Sequence, residues 1–551
     1  MDQEQRFLDI IVEREKISKA KLTAAKKEKK NSGEALFEIV IRLGIMSRDS
    51  ATRYWAEATG FQFIDISLDD IHPEAISLVP KSLAKKHRII PFELEGNTIH
   101  VAVYNTADVI AIDMLRRATR KDIVVHLANG QKLTEALGLY YGDDANIEEA
   151  IERNISAAIR GTTAKAEKDP PFVRLIDLFI KKAIVDQATD IHISPDEKAT
   201  RVSYRVDGIM QVVFIMPRKL HTGLVTRVKV LSGLNIAEQR MPQGGSINFE
   251  YSGRFIDIRT SSMPTANGEN LVLRLLDKAN IVLGLDSLGL EPDDSETIVD
   301  LSLKPHGIVL AAGPTGSGKT TTLYSILQQI DALERNVLTI EDPIEYRLAY
   351  IKQSQVNEKA GLTFFEAIRT FLRQDPDVIL VGEIRDLETA KIAFQAAMTG
   401  HLVLSTIHTN DAASCIARLL DLGVESYLIP SSLRAVISQR LVRKVCQRCS
   451  EEYVFNEAER KRYHLDVHAL DSEQRGKGCR FCGNTGYKGR IAIFEILQIT
   501  PTLSPLILEQ VSSDQILLQA KKEGLNTMMA DGLRKVRAGT TTIEEIYRVT
   551  G

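Results

Sequence analysis

Residues 308–320 read Ile-Val-Leu-Ala-Ala-Gly-Pro-Thr-Gly-Ser-Gly-Lys-Thr, an apolar run that leads into the pattern G-x-x-x-x-G-K-[ST]. The apolar run predicts a buried strand, and residues 321–330 predict the helix that follows it. Glycines between a strand and a helix let backbone N–H groups approach phosphate oxygens, and the positive end of the helix dipole adds to the attraction. This stretch therefore predicts an α/β fold that carries a phosphate-binding loop.

The candidate nucleotide-binding residues lie in this loop and in the first turn of the helix. Lys319 is expected to reach the β- and γ-phosphates of ATP, and Thr320 is expected to bind Mg²⁺. A glycine turn with an incidental lysine is the alternative, but it leaves the flanking strand and helix unexplained. The predicted binding set is Gly313, Pro314, Thr315, Gly316, Ser317, Gly318, Lys319, Thr320 and Thr321.

Three more short apolar runs, at residues 337–340, 378–381 and 402–405, alternate with helical stretches. This order is typical of a parallel sheet that is covered by helices. Ligands of such sheets bind at the carboxyl ends of the strands, so the residues that follow each run are candidates for a site.

Polar groups stand at these strand ends. Glu341 opens a stretch with three carboxylates in five residues, which favours a binding site over a simple helix cap. Glu383 follows Gly382, where many phosphate-loop proteins have the aspartate that contacts Mg²⁺, so Glu383 is the predicted base that activates water. His408 is a candidate γ-phosphate sensor, whereas His401, at the other end of its strand, is expected to be structural.

Four of the five cysteines form two C-x-x-C pairs, Cys446 with Cys449 and Cys479 with Cys482. Each pair can offer two thiolates to one tetrahedral Zn²⁺, and four thiolates leave no open position for catalysis. Four reduced thiols in a loop are the alternative. We expect a structural zinc module between the outer cysteines, with Cys415 in the core.

The composition limits the class of protein. The 551 residues predict three or four domains. Lys+Arg total 70 and Asp+Glu total 73, and the net charge of -3 argues against a protein that coats nucleic acid. No apolar run reaches the roughly 18–20 residues of a transmembrane helix, and the first residues lack the layout of a signal peptide. We therefore expect a cytoplasmic protein without a disulfide framework.

Changes in composition divide the chain into four parts. Residues 1–145 predict a helical and α+β docking module, and residues 146–171 predict a linker that ends in small, charged and proline residues. Residues 172–285 predict an α+β domain with half-buried strands, and residues 286–551 the phosphate-loop domain. Basic residues cluster at residues 14–30, which indicates a solvated helix face, or a surface for an acidic partner or anionic lipid.

The order of these motifs resembles that of the type II secretion and type IV pilus assembly ATPases, members of the RecA-like hexameric secretion ATPase superfamily. Residues 172–285 resemble the PAS-like domain that precedes the ATPase domain in this family. The resemblance covers nearly the whole chain. The segments similar to the family's phosphate loop, acidic box, second glycine-containing motif and histidine box are residues 313–320, 339–346, 377–386 and 401–411.

The resemblance also implies roles for single residues. The implied catalytic residues are Glu383 as the base, Glu341 near the metal and the water, and His408 as the phosphate sensor. Arginines of the upstream domain would reach the nucleotide phosphates, and Arg205 and Arg259 are the candidates. Residues 242–246 read Pro-Gln-Gly-Gly-Ser where the family has Pro-Gln-Asp-Gly-Arg, so this chain lacks one arginine of that part of the site.

By resemblance, the chain is a cytoplasmic ATPase that hydrolyses ATP with Mg²⁺ as a homo-hexameric ring and drives pilin or pseudopilin assembly. Its partners would be an inner-membrane platform protein and cytoplasmic docking proteins, which would associate it peripherally with the inner membrane. Paired cysteines are a feature of the assembly members and are absent from the retraction members. The alternatives left open are a pilus retraction motor, a DNA-uptake or translocation motor, and a non-hydrolysing nucleotide-binding scaffold.

Some relatives bind cyclic di-GMP through a tandem helical motif that begins Arg-Leu-Gly, and this chain matches that motif only in part. The first copy reads Arg6, Phe7 and Leu8, with leucine at the glycine position, and Glu15 replaces a second glycine. The later copy keeps Gly33 and Gly44 but has Asn31 where arginine is expected. Leu8 would crowd the ligand and Glu15 would repel a dianion, so we expect a helical core and no cyclic di-GMP site.

Overall fold

The computed structural model describes most of the chain. The described residues are 3–15, 17, 19–32, 34–46, 48–66, 71–104, 109–141, 147–160, 171–251, 254–277, 284–465, 470–479 and 481–550. The chain divides into two compact units, one of residues 1–16 and 48–281 and the other of residues 17–47 and 282–551. Residues 17–47 thus group with the phosphate-loop unit, although the sequence analysis places them in a single module of residues 1–145.

Four helices begin the chain. They are α1 (Gln3–Glu15), α2 (Lys19–Ser32), α3 (Leu36–Arg42) and α4 (Arg48–Thr59). Helix α1 packs on α4, where the rings of Phe7 and Trp55 meet edge to face with 5.5 Å between their centroids. Phe7, Leu8 and Ile11 are all buried, so one stripe of α1 forms a helical core, as the apolar spacing predicts.

A small sheet with helices follows, in the unit that contains α1 and α4. Its elements are β1 (Gln62–Phe63), α5 (Pro73–Leu78), α6 (Lys81–His87), β2 (Ile89–Glu95), β3 (Thr98–Val103), α7 (Val109–Thr119), β4 (Asp122–Leu127) and α8 (Gly130–Tyr141). The strand order is β1-β4-β3-β2; β2 runs antiparallel to β3, and the other two pairs are parallel. The core of this module contains Ile99, Val101 and Leu115.

Helix α9 (Ile147–Arg160) lies inside the segment that the sequence analysis assigns to a linker. Ile147 and Ile151 are buried in the same core as Phe179 of helix α10 (Pro171–Val185). Their helical spacing gives α9 an apolar face that can pack on α10, and this explains the difference. Residues 161–170, where small, charged and proline residues are densest, lie outside the described residues.

A six-stranded antiparallel sheet follows. Its elements are β5 (Ala188–Pro195), β6 (Ala199–Val206), β7 (Ile209–Pro217), α11 (His221–Leu231), β8 (Gln243–Tyr251), β9 (Arg254–Thr265) and β10 (Gly268–Asp277). The strand order is β7-β6-β5-β10-β9-β8. Apolar residues of β5 and β6, such as Ile191 and Val202, alternate with polar ones and pack with residues of α10 and α11 into one core.

From residue 284 onward, the phosphate-loop unit is built on a seven-stranded sheet. Its first elements are α12 (Pro292–Leu303), β11 (Gly307–Ala312), α13 (Lys319–Gln329), β12 (Val337–Glu341), β13 (Lys352–Gln355), α14 (Phe364–Phe371), β14 (Val378–Val381), α15 (Leu387–Met398), β15 (Leu402–Ile407), α16 (Ala412–Asp421), α17 (Leu428–Ser432) and β16 (Leu433–Val445). Strands β11, β12, β14 and β15 are fully buried and mutually parallel, which confirms the predicted parallel sheet.

The C-terminal part completes this sheet and adds helices. Its elements are β17 (Ser450–Val454), α18 (Glu457–Arg462), β18 (Ser472–Gly476), β19 (Tyr487–Gln498), α20 (Leu503–Leu508), α21 (Ser513–Lys522), α22 (Met528–Arg537) and α23 (Ile543–Thr550). The large sheet has the order β13-β12-β14-β15-β11-β16-β19, and β17 pairs with β18 alone. Within the described part of the chain, no helix combines the length and the apolar character needed to cross a membrane.

Candidate active site

The phosphate loop lies between β11 and α13, as the sequence predicts. Gly313, Gly316 and Gly318 all have a positive φ. A side chain at Gly313 would come within 2.5 Å of Ser317 Oγ and 2.7 Å of the Gln439 carbonyl oxygen, so only glycine fits there. At Gly316 nothing lies within 4 Å of the Cβ position, so the loop is open at this point.

Lys319 is the first residue of α13 and is only 8% exposed. Its Nζ donates hydrogen bonds to the carbonyl oxygens of Gly313 and Pro314, at 2.8 and 3.0 Å. Burial lowers the pKa of Lys319 to about 8, and the negative charge of Glu383 only partly opposes this. Because a buried cation is stabilised far better by an anion than by neutral carbonyl groups, the loop fits a phosphate ligand.

Glu383 lies two residues beyond β14, close enough to influence Lys319 electrostatically. Its carboxylate is paired with the guanidinium of Arg385, and its Oε2 lies 3.6 Å from Nε2 of His408, just after β15. Burial and the charge of Lys319 lower the pKa of His408, so its imidazole is neutral near pH 7. The structure thus brings Lys319, Glu383 and His408 to one edge of the sheet.

Gly382 has a steric reason to be glycine. A Cβ at this position would lie 3.3 Å from Glu341 Cα and from the Ile340 carbonyl oxygen. The Gly382 N–H donates to that same oxygen at 2.8 Å, so the ends of β12 and β14 are in close contact. A side chain at position 382 would thus be crowded, and Glu383 is the first carboxylate after β14.

Glu341 ends β12 and is 3% exposed. Its Oε1 accepts hydrogen bonds from Thr339 Oγ1 at 2.6 Å and Gln353 Nε2 at 3.1 Å, and its Oε2 accepts one from the Tyr324 hydroxyl. Burial, and then this carboxylate, raise the pKa of Tyr324. Both oxygens of Glu341 thus have protein donors, and through Tyr324 they connect α13 to the acidic box.

Arg205 and Arg259 lie in the other compact unit, on the six-stranded sheet. One cross-strand row runs through Arg205, Asp190, Arg274, Arg259 and Ser246. The buried Asp190 carboxylate pairs with Arg205 at 3.7 Å and with Arg274 at 3.0 Å. Ser246, which replaces the arginine of the family's sequence, lies directly opposite Arg259.

The four paired cysteines come together. Their Sγ atoms all lie within 4.8 Å of one another. Cys446 and Cys479, and Cys449 and Cys482, are 3.9 Å apart, and Cys479 and Cys482 are 3.7 Å apart. Tetrahedral zinc with Zn–S bonds of about 2.3 Å needs sulfur atoms about 3.8 Å apart, so this geometry fits the ion.

The thiols of this cluster differ in acidity. Burial raises the pKa of Cys446 to about 12. At Cys482 burial acts in the same direction, but hydrogen bonds from the N–H groups of Cys479 and Gly486, at 3.1 and 3.3 Å, outweigh it and the pKa is lowered to about 7. N–H donors to sulfur stabilise the thiolate that a metal requires. Cys415 is buried in the core.

Sequence reasoning missed two polar residues near the loop. Arg385 pairs with Glu383, and Gln439 of β16 donates to the Ser317 carbonyl oxygen at 2.6 Å. A signal for Gln439 does exist in the sequence, because it follows the mostly apolar residues 433–438 of β16, and a glutamine buried there has to find a hydrogen-bond partner. The pairing of Arg385 depends on a contact that motif spacing does not give.

The parallel sheet, the glycine loop and the carboxylate beyond β14 together define a P-loop ATPase. A family model described as Type II/IV secretion system protein matches residues 165–548, and the chain belongs to this family. A second model, the MshEN domain, matches residues 59–147. The resemblance drawn from the four sequence boxes is thereby confirmed.

Relatives match along almost the whole chain. The type IV pilus assembly ATPase PilB of Myxococcus xanthus is 36% identical over 98% of both chains. The type II secretion system protein E of Xanthomonas campestris is 37% identical over 99% of this chain and 98% of its own length. The structure of the ATPase DotB of Legionella pneumophila, 22% identical, aligns with 70% of this chain and 97% of that one at a TM-score of 0.50, which shows a shared fold.

Proposed function

We propose that this chain is the ATPase motor of a type IV pilus assembly or type II secretion machine and that it works as a hexameric ring. The observation that carries the proposal is the meeting of Lys319, Glu383 and His408 at one sheet edge, in a chain 36% identical to a pilus assembly ATPase over 98% of its length. Domain motion driven by ATP hydrolysis would perform the work.

In this function the loop residues 313–321 bind the phosphates of ATP, with Lys319 as the cation and Thr320 as the Mg²⁺ ligand. Mg²⁺ supplies charge neutralisation at the phosphates when it is bound. Glu383 takes the proton of the attacking water, and its salt bridge to Arg385 holds the carboxylate in place. His408, neutral and beside Glu383, senses the γ-phosphate.

The cysteine cluster is best explained as a structural zinc site. Its sulfur distances match a tetrahedral ion, and four cysteine ligands leave no open position for chemistry. Residues 172–285, with an antiparallel sheet and helices α10 and α11, are proposed as the family's PAS-like domain, and residues 286–551 as its ATPase domain. Arg205 and Arg259 would bring positive charge from the PAS-like domain to the phosphates.

The partners and location are part of the same proposal. An inner-membrane platform protein and cytoplasmic docking proteins would bind the chain, and they would keep it at the cytoplasmic face of the inner membrane. The N-terminal module, residues 1–145, is the expected docking part. The near-neutral net charge of -3 gives no reason to add nucleic acid to these partners.

The alternative functions are not favoured. A non-hydrolysing scaffold would not need the carboxylate of Glu383 near Lys319. The relatives reported above are named as assembly and secretion proteins, and not as retraction or DNA-uptake motors. The paired cysteines further favour an assembly or secretion member.

ATP turnover by the purified full-length chain tests this function. Wild type should hydrolyse ATP with Mg²⁺, Lys319→Ala should lose turnover, and Lys304→Ala, at an exposed lysine, should retain it. In the host, deletion of the gene should abolish surface pili or protein secretion, and only wild type and Lys304→Ala should restore them. Full turnover or complementation by Lys319→Ala would overturn the proposal.

The N-terminal helices carry a separate prediction. Leu8 is buried in the packing of α1 and α4 and stands where a cyclic di-GMP motif needs glycine. We therefore expect no saturable signal when the full-length chain is titrated with cyclic di-GMP by calorimetry, while ADP, as the positive control, binds. Saturable binding in the low micromolar range would mean that these helices form a functional site.

A further inference from the structure

We infer that Gln439 is a positioning residue. From strand β16, its side chain holds the phosphate loop in the conformation that binds nucleotide. It lies on β16, one residue beyond Ser438, which is paired with Ala312 at the end of β11. Gln439 therefore stands beside the point where the loop begins. The inference rests on the proposed function, because it assigns a role in nucleotide binding.

The contact of Gln439 with the loop is specific. Its Nε2 donates to the Ser317 carbonyl oxygen at 2.6 Å, and its side chain is 1% exposed. A Cβ at Gly318 would lie 2.9 Å from that Nε2, and a Cβ at Gly313 would lie 2.7 Å from the Gln439 carbonyl oxygen. Two glycines of the loop thus provide the space that this residue occupies.

The geometry of the peptide group explains how the contact between Gln439 and Ser317 can affect phosphate binding. The Ser317 C=O and the Gly318 N–H belong to one planar trans peptide, so they point in opposite directions. When Gln439 fixes the carbonyl oxygen on its own side, it also fixes the Gly318 N–H on the opposite side. A donor held in this way binds a phosphate oxygen without first having to reorient.

Burying Gln439 costs the protein stability, and packing alone does not explain why a glutamine occupies this position. Its Oε1 is buried, and no donor for it is found among the described residues. An unsatisfied buried amide oxygen costs stability, and an apolar residue of similar size would avoid that cost. The bond to Ser317 is what an apolar residue could not supply.

The test replaces Gln439 with methionine, which keeps the size and removes the donor. We expect the Kd of the full-length chain for fluorescent MANT-ADP with Mg²⁺ to rise on the order of tenfold, the loss of one hydrogen bond. The KM for ATP should rise similarly, while kcat at saturation stays within about twofold because Glu383 is untouched. Gln439→Leu, which also lacks the donor and adds no charge, gives the same test if the methionine variant does not fold.

The matched control is Ser438→Ala, at the neighbouring buried hydroxyl, which has no partner among the described residues. It should bind MANT-ADP like wild type and melt at a similar temperature to Gln439→Met without nucleotide. A wild-type Kd for Gln439→Met, or a fall in kcat alone, would overturn the inference. If Lys319→Ala also kept full turnover, the proposed function itself would fail, so the two failures are distinguishable.

Discussion

Glu383 gives the sharpest prediction at the scale of single residues. Glu383→Gln keeps the shape of the side chain and removes the base, so ATP turnover should fall about 10²- to 10⁴-fold while nucleotide affinity changes little. Steady-state turnover and MANT-ADP titration measure the two effects. The control is Glu388→Gln on the exposed surface of α15. If Glu383→Gln turned over ATP like wild type, the role of the base would move to another carboxylate, with Glu341 the first candidate.

Lys319 should make nucleotide binding depend on pH. Burial lowers its pKa from 10.5 to about 8, so in the free protein it loses its charge as the pH rises through that value. Phosphate binds the charged form of Lys319. The Kd for ADP should therefore rise about tenfold between about pH 7 and about pH 9. Calorimetry near pH 8, in buffers with different ionisation enthalpies, should show proton uptake.

The control for this pH effect is Lys319→Arg, since arginine keeps its charge over the whole range. Its Kd for ADP should be independent of pH, and its binding should take up no proton. A wild-type affinity that stays constant from about pH 7 to about pH 9 would contradict the titration of Lys319.

At the scale of elements, the cysteine module makes a prediction about metal and stability. Cys446→Ser or Cys482→Ser should release zinc and lower the melting temperature of the C-terminal region, because a closed four-cysteine site contributes directly to folding. Metal analysis of the purified protein should find about one zinc per chain in wild type. Cys415→Ala is the control, since this buried cysteine lies in the core, and it should keep the zinc. If purified wild-type protein contained no zinc, the assignment of the four cysteines as a zinc site would be wrong.

Elements with strong local signals could be predicted from the sequence. The strands β11, β12, β14 and β15 are continuous apolar runs bounded by loops, and all of them form at the expected places. Helix α9 was missed, because a boundary drawn from proline and glycine content ignores the helical spacing of Ile147 and Ile151. Periodicity was the better guide there, since it reports which face an element can bury.

The surroundings of the site residues were harder to predict than their positions. The motif spacing places Glu341 at a strand end, but two of its three donors, Tyr324 and Gln353, come from other elements, and only Thr339 lies on its own strand. Likewise, Gln439 meets the loop only because β16 pairs with β11. Contacts between distant segments depend on strand order, and strand order is not contained in any single motif.

At the scale of the whole molecule, the phosphate loop and the arginine row belong to different compact units. A ring ATPase of the proposed kind would need both units for one reaction, because arginines stabilise the charge that develops on a transferring phosphoryl group. In this row Arg205 and Arg274 pair with the buried Asp190, and the sequence resemblance selects Arg205 and Arg259, so Arg205 belongs to both sets.

Arg205→Ala should therefore lower kcat for ATP by tenfold or more, with only a small fall in melting temperature because Arg274 still pairs with the buried Asp190. The matched control is Arg201→Ala, on the same strand, whose guanidinium pairs with Asp196 at 2.6 Å. Turnover at a protein concentration where the ring is assembled, checked by light scattering, is the measurement. A loss confined to Arg205→Ala would mean that both units serve one catalytic cycle, whereas equal turnover in the two variants would leave Arg205 with only its contact to Asp190.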